Sequence, residues 1–169
     1  MPKTKEEIIK IFHRAYADYA KLIDSLDDED YPIVESLIDD NNPYLAGKVV
    51  SYIGLLKTQK ALSGLAIAAR SQNPSIKAVA AHALKNFTNF PEAISLIEKL
   101  LDDRNVGVRK FALRTVDVAL RTVDAAKLVI VKNKVQQLSL NETNERMKIL
   151  SGRVRDNLSK FDNSDIIIR

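Results

Sequence analysis

Two histidines, the carboxylate pairs Asp39-Asp40 and Asp102-Asp103 and one glycine-lysine step are the side chains in this 169-residue sequence that chemistry would first draw on. His13 and His82 have no second His or carboxylate at metal-ligand spacing, and a general base needs a positioned partner. His82 falls on the polar side of its segment, beside Ala78 and Lys85, as a solvated side chain does. Gly47 and Lys48 resemble the end of a phosphate loop, but Val49 replaces the hydroxyl residue and no upstream Gly is correctly spaced. Asp39-Asp40 and Asp102-Asp103 could serve acid-base catalysis or bind a cation. They recur just before two similar apolar segments, which points to turn and helix-end roles. With no Cys there is no thiol nucleophile, thiolate metal site or disulfide. No catalytic, metal-binding or cofactor-binding residue is assigned, and neither enzyme activity, a cofactor nor a small-molecule substrate is expected.

The stronger signal is the placement of positive charge. The net charge is +4 and the pI about 9.2, a mild bias toward an anionic partner. Three similar segments, Pro43–Leu56 with the following Lys57, Pro74–Phe87 and the stretch around Val108–Arg121, hold Lys48, Lys57, Lys77, Lys85, Arg109, Lys110, Arg114 and Arg121 against one acid, Asp117. Residues 27–40 carry seven acids and no Lys or Arg, so the protein should be electrically two-sided. Lys110, Arg114, Asp117 and Arg121 follow one another at spacings of four, three and four, which aligns them on one side of a helix, away from Val108 and Val116. Lys77, Lys85, Lys110, Arg114 and Arg121 are the candidate partner-binding residues. The competing reading is a solvated face chosen for solubility.

These residues must be positioned by helices. Thr4 and Glu7 form a capping box that starts a helix near Lys5. Ile8, Phe12, Tyr16, Tyr19, Ile23 and Leu26 then make one apolar stripe, predicting a long first helix over 5–26. The acidic run Asp27–Asp30 lacks the Gly and closing Glu of a calcium loop and reads as a helix start. Thereafter the apolar positions repeat. Leu45, Val49, Tyr52, Ile53 and Leu56 lie at offsets 0, 4, 7, 8 and 11. Ile76, Ala80, Ala83, Leu84 and Phe87 fill the same offsets after 31 residues, and Val108, Ala112, Thr115, Val116 and Ala119 after 32 more. Each segment follows a shorter apolar one across a turn, DDNNP, SQNP or DDRN. Such a helical hairpin cannot bury its apolar face alone and must stack. A degraded fourth copy follows, with Val123–Leu140 as its first helix and Leu150, Val154, Asn157, Leu158 and Phe161 at the offsets after a spacing of 42.

The acidic turn, the hydrophobic-basic pair and the Ala three positions on resemble the second helix of a HEAT repeat: Val108, Arg109 and Ala112 in DDRNVGVRKFAL, and Ile76, Lys77 and Ala80 in SQNPSIKAVAAHAL. In DDNNPYLAGKVV the basic residue is missing and Val49 stands in place of Ala. The resemblance covers about 27–120 and extends weakly to 161. It implies an all-α fold, a right-handed α-solenoid of three to four hairpins (about 27–57, 58–87, 90–121 and 122–161) after the first helix, in one domain over 1–161 with a tail at 162–169. It also implies that second helices line a concave surface, here a basic one, and that an Asp of such a turn pairs with an Arg of a neighbouring repeat, the role expected for Arg109.

The expected function is a non-catalytic binding or scaffold module that holds an acidic protein partner. The alternative is a protein that contacts the phosphate backbone of nucleic acid, as HEAT-like DNA glycosylases do, although the absence of Trp leaves little for an aromatic base pocket. A chaperone or chromophore-attachment factor is a third reading, since HEAT-like proteins include such lyases. The charged N-terminal segment and the lack of any long apolar run point to a cytoplasmic protein without a membrane contact.

Overall fold

The offsets that define the repeat are the positions the fold buries. The structure is a computed structural model that describes residues 2–14 and 19–164. Leu45, Val49, Tyr52, Ile53, then Ile76, Ala80, Ala83, Leu84, Phe87, then Val108, Ala112, Thr115, Val116, Ala119 are all buried, and Leu56 is half-buried. The periodicity omitted one further buried offset, five residues in, occupied by Val50, Ala81 and Leu113. The fold is all-helical, with no strand among the described residues.

Two compact units divide the chain, 1–83 and 84–169. The first contains α1 (Lys5–Arg14), α2 (Tyr19–Ser25), α3 (Tyr31–Ser36), α4 (Pro43–Leu56), α5 (Gln59–Ala68) and α6 (Pro74–Ala83). In it α4 is central, packed by α5 and α6 and by α1 and α2. The second contains α7 (Pro91–Leu101), α8 (Val106–Ala119), α9 (Val129–Asn141) and α10 (Glu145–Ser164). Here α8 packs on α7 and α10, and α9 packs on the same two helices. The predicted helix over 74–87 is α-helical only to Ala83 and tightens into a 3-10 turn over Leu84–Phe87.

Local chemistry explains where these helices begin. Thr4 and Glu7 form the expected box: the Thr4 amide donates to the Glu7 carboxylate at 2.8 Å and the Glu7 amide to Thr4 Oγ1 at 3.3 Å. Each second helix starts at an Asn whose carbonyl oxygen accepts otherwise orphaned amides. Asn42 accepts from Tyr44 and Leu45, Asn73 from Ser75, Asn105 from Gly107 and Val108, and Asn144 from Met147. Two residues earlier, Asp40, Ser71, Asp103 and Glu142 each accept from the amide of that Asn. The four turns are one motif, and the apolar offsets begin three residues after its Asn.

That motif corrects the fourth repeat. Its first position is Met147, not Leu150, and the spacing from Val108 is 39 residues rather than 42. Met147, Ser151, Val154 and Leu158 are buried, while Leu150 and Asn157 are half-buried and the side chain of Phe161 lies outside the described residues. Leu150 attracted the register because it is the nearest Leu; the helix instead buries the flexible Met147 and fits small Ser151 where the other copies have Val or Ala.

The first helix also differs from expectation. Phe12 is buried and meets the Tyr52 ring edge-on at 5.7 Å between centroids, but Ile23 is 37% exposed and Leu22 takes the buried place. One residue turns the helix by about 100°, so Leu22 and Leu26, four apart, define the inward face and exclude Ile23. Tyr19 is half-buried; Tyr16 and the continuity of the 5–26 helix lie outside the described residues, as do Ile166–Ile168 of the expected tail.

The close approach of α4 and α6 depends on Gly54. A Cβ there would stand 2.6 Å from Ala83 Cβ and 3.4 Å from its Cα. Gly54→Val should therefore lower the unfolding free energy by about 2–3 kcal/mol through overpacking. A urea midpoint equal to that of the wild type would refute this.

Candidate functional site

The exposed face of α8 carries two of the five expected partner-binding residues, Lys110 and Arg114, and a third, Arg121, lies in the turn just past its end. The buried offsets and Leu113 fix the inward side of α8, so Lys110 and Arg114 are exposed opposite, and Arg121 is exposed as well. Arg114 lies over the Phe111 ring at 5.8 Å from the centroid, and Val118 on the same side is 38% exposed. The acid of the row, Asp117, accepts a hydrogen bond from Asn157 Nδ2 at 3.2 Å. What faces outward is therefore cationic with apolar patches.

Lys77 does not share that arrangement, and Lys85 shares it only in part. Counting from the first buried residue of each second helix, Lys110, Arg114 and Arg121 stand at positions 2, 6 and 13, whereas Lys77 stands at position 1 and Lys85 at position 9, the place that Asp117 holds in the row. Both are half-buried and engaged in interactions of their own. Lys77 also belongs to the first unit, the other four to the second. Two further cations of the initial group serve the fold: Lys48 Nζ donates to the Phe12 carbonyl at 2.9 Å, and Lys57 ends α4 in a left-handed conformation with φ of 52°.

Arg109 has a structural role, though not with an Asp side chain. Its Nε and Nη2 donate to Glu142 Oε2 at 3.0 and 2.7 Å, and its Nη1 donates to the carbonyls of Asp103 and Arg104 at 2.9 and 3.0 Å. Burial alone would push the Glu142 carboxyl up; the amides of Asn144 and Thr143 and the Arg109 guanidinium outweigh it and hold the carboxyl below its ordinary range. Asp102 pairs with Lys134 at 2.6 Å. An open groove of about 420 Å³ runs along these turns, and four of its charged lining residues are already paired, Asp102 with Lys134 and Arg109 with Glu142. Asp40, Asp102 and Asp103 are thus turn and inter-helix groups. Gly47 and Lys48 lie inside α4, not in a phosphate loop, and His13 and His82 are exposed.

The corrected register brings in two residues that the sequence reading missed. Arg153 and Lys160 on α10 occupy positions 6 and 13, the places of Arg114 on α8 and of Arg121 just past its end, and both are exposed, Lys160 with an interaction of its own. Helices α8 and α10 pack side by side. Between them, Asp117, Leu120, Arg121, Asn157 and Lys160 line a pocket of about 200 Å³. Asp156, the acid at position 9 of α10, is held by Arg155 at 2.8 Å. The signal was present in the recurring Asn of the turns; a register begun at Met147 aligns the cations directly.

A family model described as HEAT repeats matches residues 31–116, just over half of the chain. The chain belongs to the HEAT-repeat family. Solved structures share this HEAT-type fold at low identity. The complex of CpcE and CpcF of phycocyanin lyase from Nostoc sp. PCC7120 contains a chain 15% identical, with a TM-score of 0.70 over 89% of this chain and 97% of that one. Cex1p is also 15% identical, with a TM-score of 0.73 over 98% of this chain and 37% of that longer one. An archaeal HEAT-like repeats protein from Thermococcus onnurineus NA1 is 12% identical, with a TM-score of 0.53 over 94% of this chain and 76% of that one. Among the described residues no helix is long and apolar enough to cross a membrane.

Proposed function

We propose that this HEAT-repeat protein is a non-catalytic binding or scaffold module that holds an acidic protein partner on the exposed face of α8 and the turn after it, through Lys110, Arg114 and Arg121. The observation that carries this reading is the shared exposure of the three cations, two on one face of α8 and one just past its end, in a row whose single acid is drawn aside to Asn157. Arg forks match carboxylates bidentately, and the Phe111 and Val118 surface beside them suits a protein rather than a bare phosphate backbone. The matched chain of similar fold comes from a complex of CpcE and CpcF, which supports a protein partner for this chain. Lys77 and Lys85, half-buried and engaged elsewhere, have no part in this reading.

Combined substitution Lys110→Ala, Arg114→Ala and Arg121→Ala should abolish capture of the partner in affinity purification from the native cell. Thermal stability should stay within about 0.5 kcal/mol of wild type, as expected for exposed positions. Capture should also survive nuclease treatment. Unchanged recovery by the triple variant would refute the placement, and loss of all capture after nuclease would replace the protein partner with nucleic acid.

A further inference from the structure

Helix α10 carries a charge pattern that complements itself. Lys148, Gly152 and Asp156 follow one another at steps of four, which places a cation and an acid symmetrically about a glycine on one ridge of the helix. Met147, Ser151, Val154 and Leu158 turn inward, where α8 and α9 pack, and leave that ridge open. Lys148 is exposed, and its ammonium has no partner among the described residues. The Asp156 side chain is 60% exposed and half used: Oδ1 accepts both bonds from Arg155, at 3.0 and 2.8 Å, while Oδ2 accepts none from a described residue. Ile149, next to Lys148, is 71% exposed, the most of the large apolar residues described. Glycine weakens a helix interior relative to alanine, so its presence asks for a cause. At Gly54 and Gly64 the cause lies inside the chain, since a Cβ would stand 2.6 Å from Ala83 Cβ or 2.7 Å from the Tyr31 hydroxyl. At Gly152 a Cβ would meet nothing within 4 Å. Gly47 is equally open, but α4 has no acid to answer its Lys48.

We propose that this ridge docks a second copy of the chain, the two α10 helices crossing antiparallel about a two-fold axis at Gly152. Helices that pack through their i±4 ridges cross at about 50° and lay those ridges side by side. A two-fold contact repeats every pairing, so each Lys148 lies against the partner's Asp156 and its unused Oδ2, twice in one interface. Gly152 meets its counterpart with no side chain to hold the axes apart, and Ile149 leaves water. A parallel pair would set Lys148 on Lys148 and Asp156 on Asp156, which like-charge repulsion opposes. The ridge shares no residue with the Lys110, Arg114 and Arg121 surface, so this inference stands apart from the acidic-partner reading.

Sedimentation equilibrium of the full chain at low salt should show a monomer-dimer equilibrium with a dissociation constant of about 1–100 μM, the scale for a small interface, and salt should weaken it. Lys148→Glu and Asp156→Lys should each weaken it by at least about tenfold, because each sets two like-charged pairs across the axis, with circular dichroism unchanged. Mixed in equal amounts, the two variants should associate again. In the mixed dimer the introduced acid faces the introduced cation, while Lys148 of one copy faces Asp156 of the other. A loss of folding in either variant does not produce that recovery. A wild-type chain that stays monomeric at about ten times the upper value refutes the interface. Single variants that dimerise as the wild type does remove α10 from it, and a mixture that stays monomeric overturns the two-fold register.

Discussion

Replacing Asp30 with alanine is expected to lower the unfolding free energy by roughly 3 kcal/mol at neutral pH, the scale for breaking a buried ion pair from one side. The Asp30 side chain is fully shielded from solvent, and its oxygens accept three hydrogen bonds. Oδ1 takes the Lys3 amide at 2.7 Å, and Oδ2 takes Lys3 Nζ at 2.8 Å and the Asp27 amide at 3.0 Å. Truncation leaves those donors without their acceptor in a site that water reaches poorly, so the loss exceeds that of a surface pair. Burial alone would push the Asp30 carboxyl up, but the Lys3 ammonium and the two amides prevail and hold it at about 2, against an ordinary 3.8. Because the folded carboxyl is the stronger acid, its stabilisation is fully present above about pH 4 and is lost as pH falls through 2. Urea denaturation of wild type and Asp30→Ala at pH 7, 4 and 2 checks both statements. The gap between the two proteins should be large at pH 7 and shrink between pH 4 and 2. A gap of the same size at pH 2, or none at pH 7, would contradict the account.

A loss of similar size is expected from Glu142→Ala, which unpairs Arg109. One carboxylate joins two repeat turns: Oε1 accepts the Asn144 amide at 3.1 Å, while Oε2 holds the guanidinium that also gathers the carbonyls of Asp103 and Arg104. Glu142 is 4% exposed and Arg109 16%, so solvent screens the pair weakly. Because the two side chains act together, Arg109→Ala and Glu142→Ala should not add. A double-mutant cycle by chemical denaturation should give a coupling of about 1–3 kcal/mol, and strict additivity would show that the contact contributes nothing of its own. The lowered Glu142 carboxyl adds to the acid sensitivity, with its share also lost as pH falls below the ordinary glutamate range.

The two clamps were legible to different degrees. Arg109 could be set apart in advance because the HEAT resemblance reserves its place for turn pairing, yet the Asp expected to receive it proved to be Glu142, 33 residues away. Asp30 was visible only as part of an acidic run; nothing in DDED distinguishes the residue that turns inward from its exposed neighbours Asp28 and Glu29. In the candidate site, Lys110 and Arg114 share a face through helical spacing, because three- and four-residue steps place side chains on one face whatever the surroundings, while Arg121 lies in the turn past the helix end. Lys77 and Lys85 were grouped with them as the cations of the preceding repeat, and half-burial with interactions of their own sets them apart. Arg153 and Lys160 were missed through the register of one helix, where an apolar Leu150 outweighed the Asn144 cap.

Taken alone, the amino-acid order determined the helical repeat, its period through the first three copies, the start of most helices and the absence of Cys chemistry. Those features are local: apolar offsets and capping residues act within about eleven residues of one another. Only the tertiary structure decided which polar groups are spent inside the protein. Lys48, Arg109, Asp117 and Glu142 look like surface charges until the residue opposite each is known, and that residue lies 33 to 40 positions away in sequence. The basic face is what remains after those pairings, because the free energy of a charge depends on its neighbours in space and on its exposure to water.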